Sequence, residues 1–79
     1  MKSSKQLFNE YITLVNNIKF YRKKLNLSQE KFAEMCEVSA SYIKQIEAGR
    51  EYKNMTLSVL FKISNVLNIP INELFNNKN

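Results

Sequence analysis

The sequence predicts an all-α domain, a compact five-helix bundle with an extended first helix, on three observations. A single Gly and a single Pro interrupt its 79 residues, so helix breakers are scarce. Apolar side chains recur at steps of three and four, the period of a helix buried along one face, and almost nothing carries the period of two that marks a strand. A chain of this length holds one core, so residues 1–79 are expected to form a single domain.

Each element has a local cause. Ser3 or Ser4 can cap a first helix along which Leu7, Tyr11, Leu14, Ile18, Tyr21 and Leu25 trace one apolar face up to Asn26. A second stripe, Phe8, Ile12 and Val15, widens that face over the first half. Residues 1–16 are therefore expected either to extend over something beyond their own core or to be separated by a break near Asn16 and Asn17. Ser28 caps a short helix from Gln29 to Cys36 with Phe32, Ala33 and Cys36 inward, and Ser39 caps a third from Ala40 to Ala48 with Ile43 and Ile46 inward. Gly49 stands where a left-handed C-terminal residue is wanted. Residues 50–55 lack an apolar period and read as a loop. Thr56 then caps a helix carrying Leu57, Leu60, Ile63, Val66 and Leu67, closed by Asn68 and Ile69. Pro70 suits the first turn of a last helix, Ile71 to Phe75, and the polar tail 76–79 is expected to fray.

Composition narrows the function. Lys and Arg number 12 against 7 acidic residues, a formal net charge of +5, which favours a polyanionic partner. There is no His, Trp or Asp and one thiol, Cys36, so His-based metal sites, thiolate zinc clusters and Ser-His-Asp arrangements cannot be assembled within the chain. No enzyme activity, cofactor, metal or small-molecule ligand is expected. With no signal-peptide pattern, no membrane-spanning apolar run and no cysteine pair, the expected location is cytoplasmic.

The segment of about 28–49 carries the functional signal. Two helices joined by the two residues Glu37 and Val38 must cross steeply, which requires a small side chain at the crossing, and Ala33 supplies it. Ile43 and Ile46 pin the second helix and leave Ala40, Ser41, Lys44 and Gln45 turned outward. A rigid helix with such a face fits the DNA major groove.

These residues resemble the Cro/C1-type helix-turn-helix (XRE) regulators of bacteria and phages, with a lambda repressor-like domain. The resemblance rests on Arg22 in IKFYRKK, LSQEKFAEMCEVS at Leu27 to Ser39, YIKQIEAGR at Tyr42 to Arg50 and MTLSVLFKISNVLNIPINELF at Met55 to Phe75. It implies a dimer on operator DNA. It implies further that Ser39, Ala40, Ser41, Lys44 and Gln45 approach bases, and that Gln29, Tyr42, Arg50, Lys53 and Asn54 approach phosphates, with Gln29 also bracing the recognition helix and packing as the alternative role for Tyr42. Arg22 and Glu47 match a pair that joins the first helix to the end of the recognition helix, expected to orient it more than to stabilise it. Glu37 departs from the usual turn glycine, at a strain cost of about 1 kcal/mol if left-handed, and the loop 49–56 is longer than in common members.

Surplus apolar residues, Val59, Val66, Ile69, Ile71 and Phe75 with Phe8, Ile12 and Val15, are expected to exceed a minimal core and to serve a homodimer. Among free-standing proteins of this kind, a restriction-modification controller or a repressor is the expectation. The alternative is an antitoxin-like or adaptor module that keeps the fold but meets a protein partner.

Overall fold

Four of the five helices among the described residues begin at a Ser or Thr whose hydroxyl accepts a backbone N–H of the first turn. In the computed structural model, which describes residues 3–77, α1 spans Ser4–Lys24 behind Ser3, α2 Gln29–Met35 behind Ser28, α3 Ala40–Ala48 behind Ser39, and α4 Leu57–Leu67 behind Thr56. Helix α5, Ile71–Leu74, follows Pro70, which lacks a donor to satisfy. At Ser3 the cap is reciprocal, since Gln6 N donates to Ser3 Oγ and Ser3 N donates to Gln6 Oε1.

Helix ends obey an equally local rule. After α1, α2 and α4 the chain turns through a left-handed residue, Asn26 (φ 59°), Glu37 (φ 61°) and Asn68 (φ 57°), and α3 ends at Gly49 (φ 64°). At Glu37 the backbone closes two bonds, Glu37 N to Glu34 O and Val38 N to Ala33 O, which satisfy carbonyls that the helix leaves open. The turn thus keeps its geometry with a strained glutamate in place of glycine, and Lys62 Nζ lies 3.0 Å from its carboxylate. At Gly49 the positive φ favours glycine, while a Cβ there would meet only Ile12 Cδ1, at 3.4 Å, an ordinary van der Waals distance.

Helix α1 packs against α3, α4 and α5, while α2 packs on α3. Leu14, Ile18, Phe32, Ala33, Cys36, Ile43, Ile63, Leu67 and Leu74 form the main core. Burial pushes the Cys36 thiol up to about 11, so it serves as an apolar filler rather than a thiolate. Tyr11, Val15 and Ile46 form a second cluster, closed by Phe8 and Ile12. Phe8, Ile12 and Val15 of α1 therefore pack with Ile46 of α3 in their own chain, which corrects their assignment as surplus.

Helix α1 is continuous, and no break occurs at Asn17. Its buried amide donates to Leu74 O (2.7 Å) and Asn76 O (2.8 Å), capping α5 from outside. Asn76 is thereby tied to α1, while Lys78 and Asn79 of the expected frayed tail lie outside the described residues.

Three residues placed on apolar faces are instead exposed: Leu7, Leu25 and Leu57. The α1 stripe repeats strictly every seven residues, and on a straight helix such a stripe drifts about 20° per heptad. Its two ends, Leu7 and Leu25, consequently swing off the core. Leu57 sits in the first turn of α4, where no other helix covers it. No helix among the described residues is long and apolar enough to cross a membrane.

Candidate nucleic-acid interface

Helix α3 is held from beneath by apolar contacts and from one end by charge. Ile43 and Ile46 are buried to 1% and 0% exposure, and Glu47 projects inward beside them. Arg22 reaches it from α1 with a two-pronged contact, Nε to Glu47 Oε2 at 2.7 Å and Nη2 to Glu47 Oε1 at 2.9 Å. The third prong, Nη1, donates to Leu27 O at 2.6 Å. Gln29, at the start of α2, donates from Nε2 to Glu47 Oε1 at 2.9 Å. One carboxylate thus joins α1, α2 and α3. With side-chain exposures of 8% and 2%, the pair is desolvated, so the small contribution of a solvated surface pair does not apply to it.

The opposite face of α3 is open. Ser39, Ser41, Lys44 and Gln45 are all exposed, whereas Ala40 is half-buried and packs partly on the main core. Gln45 Nε2 donates to Ser41 Oγ at 3.1 Å, which orients the exposed amide and leaves its carbonyl oxygen and second N–H outside that bond. Ser39 Oγ is occupied in accepting Tyr42 N. Lys44 Nζ lies 2.9 Å from Glu30 Oε2 on α2.

Tyr42 takes the packing role expected of it as one of two. Its ring is half-buried against both core clusters, and its hydroxyl donates to Asn54 O at 2.8 Å. Burial, then Tyr11, raises its ionisation above the ordinary tyrosine value, so the proton stays on the oxygen. That donor is committed to holding the loop after α3, whose Lys53 ammonium stands 6.0 Å from the Tyr42 ring centroid. Tyr52 packs on Tyr11 at 4.9 Å between centroids, a second contact between the loop and the helical body. Arg50 and Asn54 are exposed and Lys53 is half-exposed. Gln29 keeps one amide N–H beyond the bond to Glu47.

Sequence reasoning missed Asn17 and Glu30. Asn17 carried a signal, since a lone polar residue interrupting an apolar face requires a buried partner. Glu30 carried none, because its partner lies on another helix.

The helix-turn-helix family profile matches residues 18–74. Over 61 residues the chain is 43% identical to Control protein C.MunI of Mycoplasma sp, covering 76% of this chain and 80% of that one. It is 38% identical to Control protein C.SmaI of Serratia marcescens, also over 61 residues, covering 77% and 70%. Among solved structures it is similar to the restriction-modification controller protein C.AhdI from Aeromonas hydrophila (TM-score 0.75, 27% identity, 85% and 98% covered). The N-terminal DNA binding domain of SinR from Bacillus subtilis is equally similar (TM-score 0.75, 31% identity, 85% and 96% covered). With the closely joined and packed α2 and α3, the braced third helix and these likenesses in agreement, the chain belongs to the helix-turn-helix family of Cro/C1 (XRE) type, a family of DNA-binding regulators and not of enzymes.

Proposed function

We propose that the chain is a sequence-specific regulator of transcription that binds double-stranded DNA as a homodimer, with α3 in the major groove of each half of a pseudo-palindromic operator. The observation that carries this reading is the pairing of Gln45 with Ser41 on a helix fixed by Glu47. The amide so held offers one acceptor and one donor, the pattern that reads adenine N6 and N7. Lys44 and Ser41 flank it as further base-edge contacts, with Ser39 and Ala40 at the entry of the helix. Gln29, Arg50, Lys53 and Asn54 flank the groove as phosphate contacts, and Tyr42 shapes their loop.

Two-fold symmetry would set two such helices about 34 Å apart. Phe75, 47% exposed, and Ile71, half-buried, supply apolar surface for the dimer, while Val59, Val66 and Ile69 pack partly on their own core and back it. Leu57 and Phe61, one turn apart on α4 and 63% and 55% exposed, add surface that the sequence reading did not assign to it. Similarity to control proteins favours a controller that acts on DNA flanking its own gene in the cytoplasm.

Titrating the protein on that flanking DNA tests the proposal. Gln45→Ala is expected to weaken binding by about 1–3 kcal/mol and to relax the preference at one base pair, with the circular dichroism spectrum unchanged. Unaltered biological activity with Gln29 and Gln45 both replaced would instead assign the surface to a protein partner. Sedimentation at micromolar concentration is expected to show a dimer. A monomer that DNA does not shift would remove the dimer from the mechanism.

A further inference from the structure

Every acid of α2 and of the turn after it is engaged by a lysine: Glu30 by Lys44, Glu34 by Lys31 and Glu37 by Lys62. Only the first of these pairs takes a cation from the outward face of α3. Glu30 stands in the first turn of α2, next to Gln29, and its side chain is 64% exposed while that of Lys44 is 52% exposed. An anion therefore stands on the surface that would face the DNA backbone, and the lysine best placed for base edges is already neutralised by it. The hydrogen bond from Lys44, then the backbone amide of Glu30 itself, hold this carboxyl below its ordinary range, so it is charged at neutral pH.

We propose that Glu30 is a specificity-determining residue, which sequesters Lys44 so that the lysine adds nothing to binding of arbitrary DNA and is released only where base-edge acceptors replace the carboxylate. This rests on the DNA-binding reading above. The physical reason is a difference between two competitors for one ammonium. Phosphates are present at every sequence and reward any free lysine by counterion release. Base-edge acceptors such as guanine O6 and N7 are present only at the right sequence. A carboxylate 2.9 Å from the ammonium raises the threshold against the first and leaves the second as the distinguishing gain. Glu30 also opposes approaching phosphates directly, so its charge lowers affinity where no compensating base contact is made.

The experiment compares the full-length wild type, Glu30→Gln and the double variant Glu30→Gln/Lys44→Gln on two labelled duplexes, one of arbitrary sequence and one carrying the DNA that flanks the gene. On the arbitrary duplex, freeing Lys44 is expected to steepen the dependence of log K on log salt by about 0.9. The gain of Glu30→Gln over wild type is then about 3.5-fold larger at 50 mM than at 200 mM salt. The double variant, which restores the local charge balance, is expected to return to the wild-type slope. On the flanking duplex the gain is smaller, so the ratio of specific to arbitrary binding falls. Glu30 is exposed, and circular dichroism is expected to show all three proteins folded. An unchanged slope in Glu30→Gln, a steep slope retained in the double variant, or a rise in the specificity ratio would each overturn the assignment. A wild type that binds neither duplex would overturn the DNA-binding reading itself. A wild type that binds both, with Glu30→Gln identical to it, would overturn only the role of Glu30.

Discussion

Glu47→Ala is expected to remove about 3–5 kcal/mol of folding stability, the largest loss of any single polar substitution in the chain. Arg22 would keep one bond, to Leu27 O, and lose both prongs of its contact with Glu47. Its guanidinium would remain in a site where the side chain is only 8% exposed. An uncompensated buried charge is the expensive outcome, more than the absent pair itself. A domain of 79 residues has a stability of about 4–12 kcal/mol in all, so the variant would sit near the edge of folding. Urea unfolding followed by circular dichroism measures the loss. The contrast is the double replacement Arg22→Met/Glu47→Leu, which removes both charges and is expected to recover much of the stability. On the proposed role of Gln29 as a phosphate contact, its DNA binding would still be poor, because Gln29 loses the carboxylate that fixes it. A loss below about 1 kcal/mol in Glu47→Ala would mean that the pair behaves as a solvated one.

Phe32→Ala is expected to cost about 3–5 kcal/mol by a different route. Phe32 is the largest of the fully buried side chains, at 0% exposure, and belongs to the cluster that joins α1, α2, α3 and α4. Its loss opens a cavity in the cluster that it shares with its neighbour Ala33. At about 4–8 °C per kcal/mol for a domain of this size, the midpoint of thermal unfolding would fall by at least about 12 °C. Phe32→Leu leaves a smaller void and is expected to lose less. A midpoint unchanged in Phe32→Ala would show that the core collapses around the gap.

The two substitutions differ in how visible their targets are in the sequence. Phe32 follows from spacing: with Ala33 and Cys36 it forms the one apolar face of a short helix behind Ser28, and all three are buried. The match of Arg22 and Glu47 to a family pair indicated that they meet, but not that they are desolvated. That depended on Leu27 and Gln29 closing around them. The same limit explains the errors on α1. A strict seven-residue stripe names the face but cannot say where along it the covering helices end, so Leu7 and Leu25 are exposed while Val15, from the second stripe, is almost fully buried.

The sequence by itself determined where the helices begin, where they end to within a residue or two, and that Gly49 turns left-handed, because caps and closing turns are made by groups within three to five residues of one another. It also determined that Ser41, Lys44 and Gln45 face outward, since Ile43 and Ile46 claim the other side of a helix of fixed period. Only the tertiary structure decided the remaining polar contacts, Asn17 with the end of α5, Gln29 with Glu47, Lys44 with Glu30 and Tyr42 with Asn54, and that the pair Arg22–Glu47 is closed off from water. These contacts join different helices and loops. Their strength depends on exclusion of water by neighbours that no local period records, so folding had to bring the elements together before charge and hydrogen bonding could settle the shape of the surface.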